Sequence, residues 1–353
     1  MGKINNNREN FNMSVAYKLF DREFIGKLFK KRVLPKYPDF SGIKKIEIRS
    51  HKKDIRKTMY HAVIEFSVTF TTNSGGAKIL PVFCTARSNE PRKGVYDSLK
   101  FLQDNSFNND HYSAPFPLFY SSYFRGTFYH GVKGKNLYYY IETKNYQEIE
   151  SIVPLAAAWL ARLHNLSTIN ASNFNEENSR IKTAFPGIDG VLRQIKERRP
   201  NYLSAFTGIY KILNEKEEKF LASTGERWLT HGDAHPENVI KTGKKKIAFI
   251  DFTDICLSDF TRDIGSFLQQ LEFMCGHEIN DNHYIEKIKN IFLTSYFNSN
   301  KKIKLNKSIQ ERISYYYYWT AMRTITFSLF RDDSESKQVQ NLIRKVCRDL
   351  KQQ

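Results

Sequence analysis

Residues 228–252 constrain the fold of this chain more than any other segment, because they place chemically active side chains between two apolar runs. The segment reads WLTHGDAHPENVIKTGKKKIAFIDF and contains two histidines, three acidic residues and one asparagine. A loop that only joins two strands rarely carries so many polar groups, since burying a polar group without a partner costs free energy. We therefore interpret the segment as a functional loop rather than as a structural hairpin.

Three oxygen-bearing side chains in this segment, Asp233, Asn238 and Asp251, have the spacing of a phosphoryl-transfer site. Transfer of a phosphoryl group from ATP requires a carboxylate that orients the attacking hydroxyl and oxygen ligands that hold Mg²⁺ on the phosphates. Protein kinases supply these groups in a D-x-x-x-x-N loop followed by an Asp-Phe pair. The same spacing is present here, although H-G-D and D-F-T replace the strict H-R-D and D-F-G sequences.

Two kinds of hydrophobic pattern divide the rest of the chain. Alternating apolar residues, clearest at Ile64, Phe66, Val68 and Phe70, predict strands in the first third. The expected strands cover 43–50, 61–70, 78–87, 116–124, 126–134, 228–231 and 245–252. Apolar residues at helical spacing predict helices over 91–103, 152–166, 190–221, 260–275, 283–297 and 307–330.

The order of these elements predicts an α+β fold, with a small antiparallel sheet carrying one helix before a mainly helical region. Residues 1–40 are polar, and we expect them to form an irregular N-terminal extension. The sheet domain is expected over 41–131. The helical domain, which contains the catalytic loop, is expected over 132–353.

Composition limits the cellular environment and the partners. No run of about 18 apolar residues is present, so we expect no membrane span. The four cysteines lie far apart, which predicts neither a disulfide nor a metal framework and favours the cytoplasm. The net charge of +18 attracts anions, but no basic tract alternates with aromatic residues as in single-strand binders. We interpret the charge as a solvated surface, and nucleic acid is a disfavoured partner that the charge alone does not exclude.

The loop HGDAHPENV followed by FIDF resembles the signature of the aminoglycoside phosphotransferase and choline kinase family. Three further pieces resemble this family in the same order along the chain: YHGVKGKNL at 129–137, LARLH at 160–164 and RDIGSF at 262–267. The resemblance spans about residues 60–275. It implies a small-molecule kinase with a two-lobe, protein-kinase-like fold, in which the sheet lobe binds the nucleotide.

The resemblance implies a role for each polar residue of the loop. Asp233 would be the catalytic carboxylate, and His231, also placed among the catalytic residues, would brace the catalytic loop around it. Asn238 and Asp251 would bind Mg²⁺.

Other polar residues are expected to support the loop or to meet the acceptor. Asp263 would hold the loop backbone by hydrogen bonds, and His235 would either brace the loop or contact the substrate. The acceptor is expected beside the helices after residue 260, where Asp254, Asp259 and Glu272 are candidates.

The expected nucleotide site departs from the family pattern. Arg87 stands where the family has a phosphate-binding Lys, and it is either a substitute for that Lys or an exposed residue at a strand end. Asp97 is either its acidic partner on the following helix or an ordinary surface residue. The segment 50–60 contains no Gly, so a Gly-rich phosphate cradle is absent. Backbone groups from His130 to Val132 are expected to meet the adenine.

Together these features predict an ATP- and Mg²⁺-dependent phosphotransferase, with GTP as an alternative donor, that acts on a hydroxyl of a small molecule. A nucleotide-binding pseudokinase or regulatory binding module is the first alternative, because of the departures at the nucleotide site. A basic nucleic-acid-associated protein is the second alternative.

Overall fold

Strands are concentrated in two blocks of the chain, one before residue 137 and one in the segment around the polar loop. The computed structural model describes residues 14–331 and 337–351. The strands are β1 (Phe40–Ile55), β2 (Tyr60–Thr72), β3 (Ala77–Arg87), β4 (Tyr112–Ser113), β5 (Phe116–Ser121), β6 (Gly126–His130), β7 (Lys135–Asn136), β8 (Trp228–Thr230), β9 (Val239–Gly243), β10 (Lys246–Phe249) and β11 (Cys256–Ser258).

Helices precede the first strand and dominate the chain after β7. They are α1 (Ser14–Lys18), α2 (Arg22–Arg32), α3 (Lys93–Asp104), α4 (Leu137–Glu142), α5 (Tyr146–His164), α6 (Gly187–Arg198), α7 (Leu203–Ser223), α8 (Thr261–Glu278), α9 (Asn282–Ser299), α10 (Lys307–Leu329) and α11 (Lys337–Lys351). The predicted α+β class is confirmed. The helix α11 and the strand β9 were not predicted from the sequence.

A five-stranded antiparallel sheet in the order β1-β2-β3-β6-β5 forms the first of two units, which contains the described residues up to Asp104 together with Ala114–Val132. The predicted alternation in β2 is confirmed, because Ile64, Phe66, Val68 and Phe70 are all fully buried. β1 runs on to Ile55, so most of the expected loop between the first two strands is itself strand. The long hairpin arises because the two strands remain paired until Ile55 meets Tyr60.

The expectation of an irregular extension is wrong for residues 14–40, where α1 and α2 form, and residues 1–13 lie outside the described part of the chain. Asp21 begins α2 by accepting hydrogen bonds from the N–H groups of Glu23 and Phe24. Phe29 is fully buried, with its ring edge-on to Phe66 at 5.2 Å and to Phe128 at 5.9 Å. Thus α2 covers one face of the sheet, and its apolar face was hidden in the sequence among lysines and arginines.

The second unit contains Asn105–Ser113 and the described residues from Lys133 onward. Residues 105–113 were expected in the sheet domain, but Tyr112 and Ser113 pair in parallel with Ile247 and Ala248 of β10. β4, β10, β9 and β7 form a four-stranded sheet, and β11 pairs with β8. Around these short strands, α5 packs on α9 and α8 packs on α10.

One buried carboxyl group links two parts of the helical core. Glu217 on α7 is 3% exposed and accepts hydrogen bonds from the Ile181 N–H at 2.8 Å and from the Tyr316 hydroxyl at 2.9 Å. Burial raises the pKa of Glu217 to about 7, against the opposing effect of these two donors. The group is therefore held in its protonated form more strongly in the folded protein than in the unfolded chain.

No helix in the described part of the chain has both the length and the hydrophobicity to cross a lipid bilayer.

Replacing Phe29 by Ala is expected to lower the free energy of unfolding of the first unit by about 3–5 kcal/mol, because it removes a fully buried ring and leaves a cavity. Urea denaturation followed by circular dichroism measures the change. Lys30→Ala, at the exposed neighbouring position, is the control and should change stability by less than about 0.5 kcal/mol. Equal stabilities for the two variants would show that α2 does not belong to the core.

Glu217→Gln is expected to reduce the pH dependence of stability. Because the folded-state pKa is raised, the wild type loses stability as the pH rises from about 4.3, the ordinary value, through about 7. The loss by pH 8 is on the order of 2–3 kcal/mol, and the glutamine variant does not incur it. Free energies of unfolding measured at pH 5 and pH 8 test this, with the exposed Glu218→Gln as the control. Parallel pH curves for wild type and Glu217→Gln would contradict the prediction.

Candidate active site

The polar loop connects β8 to β9 and lies within the second unit. Leu229 and Thr230 of β8 are fully buried, which anchors the start of the loop. A short 3₁₀ turn over Pro236–Asn238 leads into β9. β10 follows with Ile247 and Phe249 fully buried, and the chain then leaves the sheet at Asp251.

Asp263 at the start of α8 holds the first part of this loop. Its Oδ2 accepts a hydrogen bond from the His231 N–H at 2.6 Å, and its Oδ1 accepts one from the Gly232 N–H at 2.9 Å. Burial works to raise the pKa of Asp263, but the hydrogen bond and charge of His164 and the hydrogen bond from Gly232 outweigh it, so the pKa lies below its ordinary value. These are the contacts that the expected bracing role of Asp263 requires.

His164, at the end of α5, supports Asp263 from behind. Its Nε2 lies 3.0 Å from Asp263 Oδ2, and its Nδ1 lies 2.7 Å from the Tyr296 hydroxyl. His164 and Asp263 are both essentially buried. A buried carboxylate with this many donors has little freedom to move, so the backbone at His231 and Gly232 is set by α5, α8 and α9 together.

Arg262 and Asn178 also brace the loop, and neither was predicted to do so. Arg262 Nη2 donates to Asn178 Oδ1 at 2.8 Å and to the Gly232 carbonyl at 3.3 Å. Asn178 Nδ2 donates to the Asp254 carbonyl at 2.6 Å. The position of Arg262 beside Asp263 in RDIGSF was the available sequence signal, whereas Asn178 lies in a stretch without a recognisable motif.

Gly232 occupies a position that other residues cannot take without strain. Its φ is +81°, and a Cβ added there would lie 2.0 Å from the Asp254 carbonyl oxygen. Glycine is the residue that adopts this backbone conformation at low cost. The absence of a side chain therefore lets the catalytic loop pass directly against the segment that contains Asp251 and Asp254.

Hydrogen bonds join Asn238 to Asp233 and to Ile250, the residue before Asp251. Asn238 Nδ2 donates to the Asp233 carbonyl at 2.9 Å, and the Ile250 N–H donates to the Asn238 carbonyl at 3.0 Å. Asp251 has a left-handed conformation with φ of 61°, and its Oδ1 accepts a hydrogen bond from the Thr253 hydroxyl at 2.6 Å. The fold thus ties Asn238 both to the residue that carries the first carboxylate and to the residue before the second.

His235 lies beside Asp233. Its Nε2 lies 3.5 Å from Asp233 Oδ2, and its Nδ1 lies 3.7 Å from Glu237 Oε2. Burial works to raise the pKa of Asp233, but the hydrogen bond and charge of His235 outweigh it, so the pKa of Asp233 lies well below its ordinary value. Burial works to lower the pKa of His235, and the neighbouring carboxylates outweigh it and raise that pKa. Asp233 is therefore an ionised carboxylate at neutral pH.

His231 supports the loop from inside the core. It is fully buried among Trp159, Phe249 and Phe252, and its Nε2 donates to the Ile250 carbonyl at 3.0 Å. Burial lowers the pKa of His231, so the ring is neutral with its proton on Nε2. Such a side chain positions the loop and does not touch a substrate, which fits the bracing part of the expectation for His231 and not a direct catalytic role.

The donors at this site have the chemistry that Mg²⁺ requires. The Asn238 amide oxygen and the Asp251 carboxylate are hard oxygen ligands, and Mg²⁺ is commonly held by one or two such protein ligands together with water and phosphate oxygens. Because Asn238 Nδ2 is engaged with the Asp233 carbonyl, the amide oxygen is the atom left for a cation. Between residues 14 and 331 and between 337 and 351, no three His, Cys, Asp or Glu side chains are grouped to hold a metal by themselves.

Comparison with protein families gives a match to the phosphotransferase enzyme family APH over residues 66–284, which is more than half of the chain. The chain belongs to this family. The matched range contains the complete polar loop and Asp263. A comparison with curated protein sequences gave no significant match.

Solved structures of APH-like kinases share the fold at low sequence identity. Ethanolamine kinase from Plasmodium vivax has a TM-score of 0.53 and 15% identity, covering 86% of this chain and 81% of that chain. Amicoumacin kinase hAmiN, in complex with AMP-PNP, Ca²⁺ and its substrate, has a TM-score of 0.52 and 15% identity, covering 92% and 96%. APH(2'')-IIa, in a ternary complex with streptomycin and ATP, has a TM-score of 0.51 and 14% identity, covering 90% and 95%. At these identities the likeness shows a protein-kinase-like fold.

The residues expected at the nucleotide site of this APH family member lie in the first unit. Arg87 ends β3, and its Nη1 forms an ion pair with Glu90 at 2.6 Å. Asp97 on α3 forms an ion pair with Lys93 at 2.6 Å. The expected pairing of Arg87 with Asp97 is therefore wrong, because each finds an opposite charge only three or four residues away. His130 ends β6 opposite Val82 of β3.

Two of the three acidic residues expected to meet the acceptor are neutralised by the protein itself. Asp259 is fully buried and forms an ion pair with Arg312 at 2.7 Å. Glu272 forms ion pairs with Lys289 and Lys345. The expectation is wrong for both, because the basic helices α9, α10 and α11 supply cations that the sequence order does not place beside α8. Asp254 is different, because it is half-buried next to the catalytic loop and burial raises its pKa to about 6.

Gly232→Ala is expected to destabilise the second unit by about 2 kcal/mol or more, since an alanine combines a positive φ with a clash against the Asp254 carbonyl. Gly225→Ala is the matched control, because a Cβ at Gly225 meets no atom within 4 Å. Thermal and urea unfolding of both variants measure the difference. If Gly232→Ala were as stable as Gly225→Ala, the close approach of the two segments would be refuted.

Proposed function

We propose that this APH family protein transfers the γ-phosphoryl group of ATP to a hydroxyl group of a small molecule. Family membership supports a small-molecule phosphotransferase. The observation that carries the proposal is the braced loop, in which an ionised Asp233 lies beside Asn238 and a segment ending in Asp251. Phosphoryl transfer depends mainly on positioning and electrostatics, and this arrangement supplies both.

In this proposal Asp233 accepts a hydrogen bond from the acceptor hydroxyl and orients its oxygen toward the phosphorus. The lowered pKa keeps Asp233 ionised, and its 40% exposed side chain leaves room for an acceptor. As the hydroxyl oxygen forms its bond to the γ-phosphorus, the bond from that phosphorus to the bridging oxygen breaks, ADP leaves, and the proton moves toward Asp233. His235, held in its charged form, keeps the carboxylate in place during this step.

Asn238 and Asp251 would hold Mg²⁺. When bound there, Mg²⁺ would supply positive charge that offsets the negative charge developing on the phosphates. The neighbouring structures support nucleotide and divalent cation use, since they contain ATP in one case and AMP-PNP with Ca²⁺ in another. ATP is the proposed donor, with GTP as the alternative.

The first unit is proposed to bind the nucleotide through Arg87 and the backbone from His130 to Val132. Arg87 can place its guanidinium on phosphate oxygens only by sharing or leaving Glu90. Asp97 lines a cavity of about 370 Å³ together with Arg32, Lys36 and Lys93. We therefore propose that Asp97 does not contact the nucleotide and only adds negative charge to its surroundings.

A nucleotide-binding pseudokinase is the second candidate function, because two observations favour it. The turn between β1 and β2 contains no Gly, and Arg87 is already paired within its own segment. Both features would weaken binding of the phosphates relative to a Lys and a Gly-rich cradle.

We further propose a cytoplasmic location, because Cys84, Cys256, Cys275 and Cys347 are all free thiols.

Asp233→Ala is expected to lower kcat by about 10²–10⁴-fold, because it removes the group that orients the hydroxyl and accepts its proton. Asp251→Asn is expected to raise the Mg²⁺ concentration needed for half-maximal rate. ADP release with Mg²⁺-ATP over a panel of alcohols measures both. Asp110→Ala is the control, because Asp110 is on the surface of the same unit with a side chain that is 96% exposed.

The outcomes separate the candidate functions. ATP binding without turnover of any alcohol, equal in wild type and Asp233→Ala, would favour the pseudokinase. Salt-sensitive binding of polynucleotides without nucleotide binding would favour a nucleic-acid-associated protein. Unchanged turnover in Asp233→Ala would refute the role of Asp233.

A further inference from the structure

Arg323 on α10 is a half-buried cation that the bracing network does not use. Its guanidinium carbon lies 4.8 Å from the centroid of the Trp319 ring, and Trp319 is 3% exposed. Within residues 14–331 and 337–351, Arg323 forms no hydrogen bond and no ion pair. A guanidinium that is partly removed from water gains from an anionic partner, since its five donors otherwise lose hydration without compensation.

The other two buried arginines of this region have partners. Arg262 donates to Asn178 and to the Gly232 carbonyl. Arg312 forms its ion pair with Asp259. Arg323 therefore differs from these two arginines, because its guanidinium contacts an aromatic ring but has no hydrogen-bond or ion-pair partner among the described residues.

The Trp319 ring connects Arg323 to the polar loop through Arg262, which contacts both the ring and the loop. Arg262 stacks on the same ring at 4.7 Å, and its Nη2 is 3.3 Å from the Gly232 carbonyl, directly before Asp233. The positive charge of Arg323 acts on both Asp233 and Asp254 and favours their ionised forms. The guanidinium thus shares the Trp319 ring with the arginine that braces the loop, in the same unit as Asp233.

The surrounding charges do not form an acidic subsite. Asp259 and Glu272 are neutralised by Arg312, Lys289 and Lys345. Asp254 is the third of the acidic candidates for the acceptor, and burial shifts it toward its neutral form. Two of these three candidates are therefore engaged by cations of the protein and are not available to a cationic acceptor.

We propose that Arg323 binds an anionic group, a carboxylate or a phosphate, on the alcohol that accepts the phosphoryl group. The inference rests on the proposed phosphotransferase function and adds the substrate class: a hydroxylated anion. In the complex, Asp233 would face the hydroxyl while Arg323 holds the anion by two parallel N–H donors. The Trp319 ring holds the guanidinium by a cation–π contact, so the separation of the two groups would select the acceptor.

Two matched sets of acceptors test the inference, each with one carbon skeleton and different charge. One set is glycerol, glycerate, glycerol 3-phosphate and 3-amino-1,2-propanediol. The other is glucose, glucuronate, glucose 6-phosphate and glucosamine. Binding by isothermal titration calorimetry and ADP release with Mg²⁺-ATP are measured for the full-length wild type, Arg323→Ala and Arg323→Lys. Arg331→Ala is the control, because Arg331 stacks on the exposed Phe327 at 4.3 Å.

In at least one set, an anionic member is expected to exceed its uncharged counterpart in binding or in kcat/KM by about 10–100-fold. Arg323→Ala should remove this preference and leave the uncharged member within about 3-fold of wild type. Arg323→Lys should restore part of it, since it keeps the charge but not the two-donor geometry. The carboxylate and phosphate members show which anion is bound, and Arg331→Ala should behave as wild type.

Several results would overturn the inference. One is better binding of uncharged or cationic members than of anionic members in both sets. Another is an anion preference that persists in Arg323→Ala. A third is an equal loss of kcat for all acceptors in Arg323→Ala, together with a higher KM for ATP. The last result would assign Arg323 to the nucleotide. Turnover restricted to uncharged or cationic alcohols leaves the phosphotransferase intact, whereas the absence of ATP binding and turnover rejects the phosphotransferase itself.

Discussion

The polar loop depends on the hydrogen bonds that the Asp263 carboxylate accepts from its backbone. This carboxylate accepts the N–H groups of His231 and Gly232 and is fixed in turn by His164. Because the carboxylate is fully buried, losing any one donor would leave charge without compensation, which is a large penalty in a low-dielectric interior. The loop is consequently held by helices distant in sequence, and it presents Asp233 without relying on loop stiffness alone.

The charged residues around the loop differ in whether a neighbouring residue of opposite charge neutralises them. Asp259 is cancelled by Arg312 inside the core, whereas Asp233 is kept ionised by His235. Arg323 adds an unpaired cation beside Asp233 and Asp254, within the part of the chain that the structure describes. Although the net charge of the chain is +18, the local potential at the loop therefore depends on which of its ions remain unpaired there.

Much of the fold could be predicted from the sequence where the hydrophobic periodicity was strong over a few consecutive residues. The alternation in β2 and the helical spacing in α5 and α8 follow directly from residues a few positions apart. The same reasoning failed for α2, because its buried Phe29 is surrounded in sequence by basic residues, and for β4, whose two residues gain their identity only by pairing with β10. Short or highly charged elements carry too little local signal to be separated from loops.

At the site, the sequence by itself indicated the candidate reacting groups. The offsets of Asp233, Asn238 and Asp251 indicated phosphoryl transfer, because that chemistry requires those oxygen donors in one loop. Only the tertiary structure decided which charges are available around them. Arg262 and Arg323 reach the loop region by stacking on Trp319, and Arg87 pairs with Glu90 rather than with Asp97. Ion pairing depends on distances of a few ångströms between side chains on different elements, and spacing along the chain does not specify those distances.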